Sequence, residues 1–159
     1  MLGKLALIGA GAATMLAVGT MPAYATYQDL DSTCAPGDSG KACIHLSWDV
    51  SSGHIHARGA VDPLCGHKIT IEEVRLDEEV VEPGGQHDGW NPVPGMRNLT
   101  DVTSTCGVED SVAGPMAPLC DNGLQYKRHY RGVMQYRVFY ADGSSRGFAI
   151  TTGGSDSPC

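Results

Sequence analysis

Two histidines and an aspartate in neighbouring predicted strands are the first residues that could do chemistry. His54 and His56 are two positions apart, so both imidazoles point to the same face of a β-strand. The predicted hairpin register places Asp49 opposite His56. Two imidazoles and a carboxylate on one outward face could hold Zn²⁺ or Cu²⁺. These residue types are also ordinary on the solvent side of a sheet, so we expect no cofactor and keep this metal site as an alternative.

A long loop with a tryptophan near its middle is the second candidate. Residues 82–96 are rich in proline and glycine, and a structureless segment of this length is often functional. A tryptophan in such a loop is typical of an anchor for a protein partner or a sugar. The alternative is a tryptophan folded back onto the sheet as a plug at one end of the fold. We expect a binding site here, with His87, Asp88, Trp90 and Asn91 as its candidate residues.

Two further motifs do not support catalysis. The segment Gly37-Asp38-Ser39-Gly40 is similar to the one around the nucleophile of trypsin-like proteases, but no histidine precedes Ser39 to act as its base. We therefore interpret the segment as a turn. Glu72 and Glu73 are adjacent, so a regular strand would point them to opposite faces, unlike the carboxyl pair of a glycosidase. We expect no catalytic residues and no enzyme activity.

The cysteines constrain the fold. An even number in an exported chain indicates disulfides, three in this case, and the absence of a Cys-x-x-Cys pair disfavours a zinc site. Closure of short loops favours Cys34–Cys43 and Cys106–Cys120, which leaves Cys65 to pair with Cys159. The six are Cys34, Cys43, Cys65, Cys106, Cys120 and Cys159.

Two of these loops resemble parts of the Streptomyces subtilisin-inhibitor family. The segment from Cys34 to Cys43 is similar to that family's first disulfide loop, and Pro115-Met116-Ala117 is similar to its Pro-Met reactive segment. The resemblance implies an inhibitory loop, which must be exposed, extended and clamped. No cysteine directly precedes Pro115, and the Tyr-Asp-Pro that follows in the family is missing. A secreted protease or hydrolase inhibitor is therefore the alternative function.

The N-terminus predicts export. An uncharged run over residues 5–18 follows Lys4, and Ala23-Tyr24-Ala25 places small residues one and three positions before a cleavage point. We predict a signal peptide over 1–25 and a single domain over 26–159, secreted to the extracellular space without membrane insertion after cleavage. The formal net charge of −7 disfavours nucleic acid as a partner, because an acidic surface repels phosphate.

Runs of alternating apolar and polar residues predict antiparallel strands. Residues 44–61 predict a hairpin with Val50 opposite Ile55, because this register puts the apolar residues on one face. Residues 67–76 predict a third strand whose apolar positions change parity. A bulge near Glu72-Glu73 would return them all to the core.

The acidic residues that follow predict a solvated edge that discourages aggregation. Residues 78–81 are expected to be a short edge strand within it. The acidic set is Glu72, Glu73, Asp77, Glu78, Glu79 and Glu82.

The C-terminal half predicts a strand at 97–105, a loop at 114–123 and a long strand at 130–140. A turn then leads to a return strand with Phe148 opposite Val138. The predicted core contains Trp48, Ile69, Ile71, Tyr136, Val138 and Phe148.

The last hairpin carries a resemblance. Its segment Tyr136-Arg-Val-Phe-Tyr-Ala-Asp-Gly143, preceded by a Cys-to-Cys loop, resembles small secreted actinobacterial β-sandwich proteins of unknown function. With about seven short strands, the chain is expected to be an all-β, antiparallel immunoglobulin- or fibronectin-like sandwich stapled by disulfides. The function expected is a secreted, non-catalytic binding domain for a protein or a cell-wall glycan. The alternatives are the inhibitor and a Zn- or Cu-binding protein or enzyme.

Overall fold

The computed structural model describes residues 27–81, 85–107, 110–118 and 127–156, and within these ranges the chain is all β. The strands of the described part are β1 Tyr27–Gly37, β2 Gly40–Asp49, β3 His54–Pro63, β4 Lys68–Val81, β5 Asn91–Thr105, β6 Asp110–Pro118, β7 Lys127–Phe139, β8 Ser145–Thr151 and β9 Ser155–Asp156.

The strands form two antiparallel sheets that pack face to face. The first sheet has the order β1-β2-β3-β6, and the second has the order β5-β4-β7-β8, with β9 also paired to β7. The predicted all-β, two-sheet architecture is confirmed. The core between the sheets consists of Ala42, Ile44, Leu46, Ile55, Ala57, Val61, Ile69, Ile71, Val74, Leu76, Tyr130, Met134, Tyr136 and Val138.

The two sheets approach closely at two glycines. A Cβ on Gly59 of β3 would lie 2.5 Å from Met134 Sδ of the opposite sheet, and one on Gly132 of β7 would lie 3.0 Å from Ile44 Cγ1. A side chain at Gly59 would force Met134 to move, and one at Gly132 would press on Ile44, so the two sheets pack most closely where glycine stands. Of the six predicted core residues, Trp48 and Phe148 are only partly buried and pack against the cluster, while the other four are buried.

The first predicted hairpin exists, but its register differs by two residues. Trp48, and not Val50, lies opposite Ile55. The turn decides this, because Gly53 adopts a φ of +68° and its N–H donates to the Asp49 carbonyl at 2.9 Å. A shift of two residues keeps every side chain on its predicted face, although Val50 lies in the turn and is exposed.

The last hairpin differs in the same way. Phe148 lies opposite Tyr136 and stacks on it with ring centroids 5.4 Å apart, so the predicted pairing with Val138 is wrong. The N–H of Gly143, at a φ of +85°, donates to the Tyr140 carbonyl at 3.0 Å and closes a tighter turn than predicted.

The bulge predicted in the third strand is confirmed. The register of β4 shifts between Ile71 and Glu73 against both of its neighbours. Ile71 before the bulge and Val74 and Leu76 after it all face the core.

The predicted acidic edge is wrong for the residues that the structure describes, and Glu82 lies outside them. Residues 78–81 belong to β4, which lies in the middle of the second sheet between β5 and β7. Glu73 and Asp77 are only 2% and 1% exposed. They are buried because arginines of the same sheet pair with them, as described below.

Both predicted proline-rich loops contain strands. β5 begins at Asn91, inside the predicted loop 82–96, and β6 extends to Pro118, inside the predicted loop 114–123. Among the described strands, β6 lies at one edge of the first sheet and β5 lies at one edge of the second. Proline is tolerated there because one side of an edge strand has no ladder hydrogen bonds to lose.

The predicted disulfide between Cys34 and Cys43 is confirmed. The two cysteines lie opposite each other in the β1–β2 hairpin, whose tip is the Gly37-Asp38-Ser39-Gly40 segment. The interpretation of this segment as a turn is therefore also confirmed.

The other disulfide pairings were predicted wrongly. Cys65 bonds to Cys106, which excludes both Cys106–Cys120 and Cys65–Cys159. The reason is strand pairing: β4 begins just after Cys65, β5 ends directly before Cys106, and these two ends lie side by side. Cys120 and Cys159 themselves lie outside the described residues.

The predicted signal peptide, residues 1–25, also lies outside the described residues. In the part of the chain that the structure describes, no helix has the length and apolar character needed to span a bilayer. The two disulfides fit a protein that matures in an oxidising, extracellular environment.

Candidate functional site

The outer face of the second sheet carries a network of buried ion pairs. After the bulge, Glu73, Arg75 and Asp77 of β4 point away from the core. Arg75 donates from Nε to Asp77 at 2.8 Å and from Nη1 to Glu73 at 3.2 Å. Arg97 of β5 donates to Glu73 at 2.8 Å, and Arg131 of β7 donates to Asp77 at 2.9 Å. Three adjacent strands are thereby cross-linked by charge-assisted hydrogen bonds.

The two carboxylates are buried because guanidinium groups contact them directly, while the arginine side chains themselves stay 24–58% exposed to water. The hydrogen bond that Arg75 donates to Asp77 raises the pKa of Arg75 above its ordinary value. Arg75 therefore remains charged, and the network keeps fixed positions for its side chains on an otherwise solvated face.

Trp90 lies on this network. Its indole ring faces the Arg131 guanidinium, with the guanidinium carbon 4.6 Å from the ring centroid. The ring edge lies against Gly154, where an added Cβ would be 2.8 Å from the indole. Trp90 is half-buried on the outer face of the sheet, so it is folded back, although not between the two sheets. Its contacts hold the ring in one orientation.

Polar residues lie on either side of Trp90 in the sequence. The Asp88 N–H donates to the Val80 carbonyl at 3.3 Å, which ties the loop to the end of β4. The Asn91 amide donates to the Gly89 carbonyl at 3.1 Å. The side chains of Asp88 and Asn91 are exposed. We call Trp90, Arg131, Asp88 and Asn91 the Trp90 surface.

His87, the remaining residue of the predicted binding loop, belongs to a different group. Its Nδ1 lies 2.9 Å from Glu79 Oε2, and His129 Nδ1 lies 3.6 Å from the same oxygen. One ligand atom from each of the three residues lies within 4.8 Å of the others. We call Glu79, His87 and His129 the histidine cluster.

The histidine cluster could not be found from residue spacing. Glu79 and His129 are brought together because they lie opposite each other in the β4–β7 ladder, and no local pattern links them. Only the presence of His87 in a loop after the acidic segment is visible in the sequence.

The alternative metal set of Asp49, His54 and His56 rested on a register that the structure does not have. Asp49 lies opposite His54 and not His56, as a consequence of the register. Its carboxylate accepts hydrogen bonds from the Ser51 and Ser52 hydroxyls, both at 2.6 Å. These bonds lower the pKa of Asp49 to about 2. The His54 ring nitrogen lies 2.8 Å from the Ser52 carbonyl, so these groups serve to close the turn.

The outer face of the first sheet contains a groove of about 430 Å³. Tyr27, which is half exposed, lies at its side with its ring 5.5 Å from that of His56. The volume is within the range of small-ligand sites. The groove is lined by Tyr27, Asp29, His45, Ser47, His56, Arg58 and Ala60.

The predicted inhibitor segment lies in β6. Pro115, Met116 and Ala117 are strand residues, and β6 is paired with β3, where Met116 lies opposite His56 and Ala117 opposite Ile55. The backbone of this segment is therefore part of a sheet.

Comparison with known proteins adds no assignment. No known protein family matches the chain, and no curated protein is significantly similar to it. The function therefore has to be argued from the surfaces described above.

Proposed function

We propose that the chain is a secreted, non-catalytic binding domain that holds a protein or a cell-wall glycan against the Trp90 surface. The observation that carries this proposal is the position of Trp90. Its indole lies on Arg131, which is itself fixed by the buried Asp77, and Asp88 and Asn91, close to Trp90 in the sequence, are exposed.

A preorganised aromatic ring is well suited to binding. Trp90 loses little conformational entropy when a partner contacts it, because its ring is already immobilised. Its free apolar area can pack on the carbon face of a sugar or on an apolar side chain. Asp88 and Asn91 can supply the hydrogen bonds that orient such a partner.

The inhibitor alternative has less support. A protease inhibitor presents a free extended loop to the enzyme's cleft, whereas Met116 and Ala117 of the predicted segment pair with β3. The Zn- or Cu-binding alternative has no support at Asp49, His54 and His56, because hydrogen bonds to Ser51 and Ser52 occupy the carboxylate.

The test compares Trp90→Ala with Leu99→Ala. Leu99 is a matched control, because it is a large apolar residue of the same sheet and is 71% exposed. The mature protein is incubated with insoluble cell walls and, separately, with secreted proteins from culture medium, and the bound fraction is measured against concentration. Loss of an aromatic anchor typically costs about 2 kcal/mol, so Trp90→Ala should weaken binding roughly thirtyfold, and Leu99→Ala should not.

The stability of Trp90→Ala must be measured in parallel. Loss of the contact with Arg131 should cost about 0.5–1 kcal/mol at a partly exposed site, so the variant should remain folded. A loss of several kcal/mol would instead assign Trp90 a structural role.

The groove on the first sheet provides the competing surface. Tyr27→Ala removes the exposed aromatic ring of this groove, which belongs to the first sheet. If Tyr27→Ala abolishes capture and Trp90→Ala leaves it unchanged, the partner binds in the groove and the assignment to the Trp90 surface is wrong.

A further inference from the structure

The histidine cluster joins three parts of the second sheet that are distant in the sequence. Glu79 is near the end of β4, His129 is near the start of β7, and His87 lies in the segment that leads to β5. The neighbouring carboxylates of β4 pair with arginines, Asp77 with Arg131 and Glu78 with Arg128. Glu79 instead contacts two imidazoles, which are metal ligands.

We propose that Glu79, His87 and His129 bind one divalent transition-metal ion of the Zn²⁺ class. This site is separate from the Asp49, His54 and His56 set suggested by residue spacing. It also does not depend on the proposed binding function.

The distances fit a tetrahedral zinc ion. Nitrogen and oxygen ligands at about 2.0–2.1 Å from zinc lie about 3.3–3.4 Å from one another. Glu79 Oε2 is 2.9 Å from His87 Nδ1 and 3.6 Å from His129 Nδ1, so the two values bracket the required separation. The ligand atoms of the two imidazoles lie within 4.8 Å of each other, and rotation of the partly exposed His87 side chain can bring them to the separation that zinc requires.

The three side chains of the histidine cluster already lie close together in the structure. Protons on the two Nδ1 atoms can hold the imidazoles against the Glu79 oxygen, and a metal ion would take the place of those protons. The ligands are ordered by the sheet: Glu79 and His129 are 12% and 21% exposed, whereas His87 is 49% exposed. The open side at His87 gives an ion access and leaves room for water as the fourth ligand.

The ligand types determine the class of ion. Imidazole nitrogens bind Zn²⁺, Cu²⁺ and Ni²⁺ well, whereas Mg²⁺ and Ca²⁺ require mostly oxygen ligands. The formal net charge of −7 further favours cations at this surface.

Calorimetric titration of the metal-stripped mature protein with Zn²⁺ tests the site directly. We expect saturable binding of one ion per chain. His87→Ala removes an exposed ligand without disturbing the core, and it should weaken binding by at least about tenfold, since even the loss of a residue that only orients a ligand costs this much. Glu79→Gln should have a similar effect.

The matched control is His54→Ala, which removes a histidine from the first sheet. It should leave Zn²⁺ affinity unchanged. A second readout is the melting temperature, which Zn²⁺ should raise in the wild type because a ligand that binds only the folded state stabilises it. The rise should be absent in His87→Ala, and Mg²⁺ should not produce it.

Three results would overturn the proposal. The first is the absence of saturable Zn²⁺ binding to the wild type, the second is unchanged Zn²⁺ affinity in His87→Ala, and the third is loss of Zn²⁺ binding in His54→Ala. Any one of them is sufficient. Because His87 lies outside the strands and is half exposed, its variant is expected to fold, and each of these outcomes can be read without ambiguity.

Discussion

Asp77 provides the most demanding test of the ion-pair network on the second sheet. The residue is 1% exposed, and its carboxylate accepts hydrogen bonds from Arg75 at 2.8 Å and Arg131 at 2.9 Å. Asp77→Asn keeps the shape of the side chain but removes its charge and turns an amide N–H₂ toward a guanidinium. Breaking a buried pair by removing one partner costs about 3–5 kcal/mol. We expect the lower end, about 3 kcal/mol, because both arginines are partly exposed and can be rehydrated.

The control is Glu72→Gln on the same strand. Glu72 accepts a hydrogen bond from Arg137 at 2.7 Å, but the two side chains are 36% and 40% exposed. An exposed pair of this kind contributes about 0–1 kcal/mol. Equilibrium unfolding in urea, followed by tryptophan fluorescence and circular dichroism, gives the free energy of unfolding for both variants.

The difference between the two variants is the decisive quantity. If Asp77→Asn is no more destabilising than Glu72→Gln, burial does not strengthen the network. Arg131 would then not be held in place, and the argument that Trp90 is preorganised on it would lose its basis. A large loss in both variants would refute the distinction between buried and exposed pairs.

Two further predictions concern the disulfides and the pH dependence of stability. Peptide mapping without reduction should yield a Cys65–Cys106 cross-link, and recovery of a Cys106–Cys120 peptide would contradict the observed pairing. Replacing both Cys65 and Cys106 by alanine should lower the free energy of unfolding by about 4 kcal/mol, as expected for a closed loop of this length. Because hydrogen bonds lower the pKa of Asp49 from 3.8 to about 2, its contribution to stability is present above pH 3.8 and is lost as the pH falls toward 2. Urea unfolding across this interval should therefore show a steeper loss for the wild type than for Asp49→Asn, and equal slopes would argue against the lowered pKa.

The sequence was informative wherever the determining interactions are local. The two-residue period of side chains identified the inward faces of the hairpins, and the change in parity after Ile71 located the bulge at Glu72. The Cys34–Cys43 disulfide followed from a turn between two adjacent strands. The loop before β5 was likewise identified as a candidate binding site from its composition. It contributes Trp90 to the Trp90 surface and His87 to the histidine cluster.

The tertiary structure decided everything that depends on which strands are neighbours. The acidic segment is a central strand because arginines from β5 and β7 neutralise it, and those arginines are distant in sequence. Cys65 bonds to Cys106, and Glu79 meets His129, for the same reason: each pair lies at the end of a ladder between non-local strands. Side-chain alternation determines which face a residue occupies, but it carries no information about the strand that lies beside it. The residue that lies opposite another across a sheet is therefore determined only when distant strands pair in the folded chain.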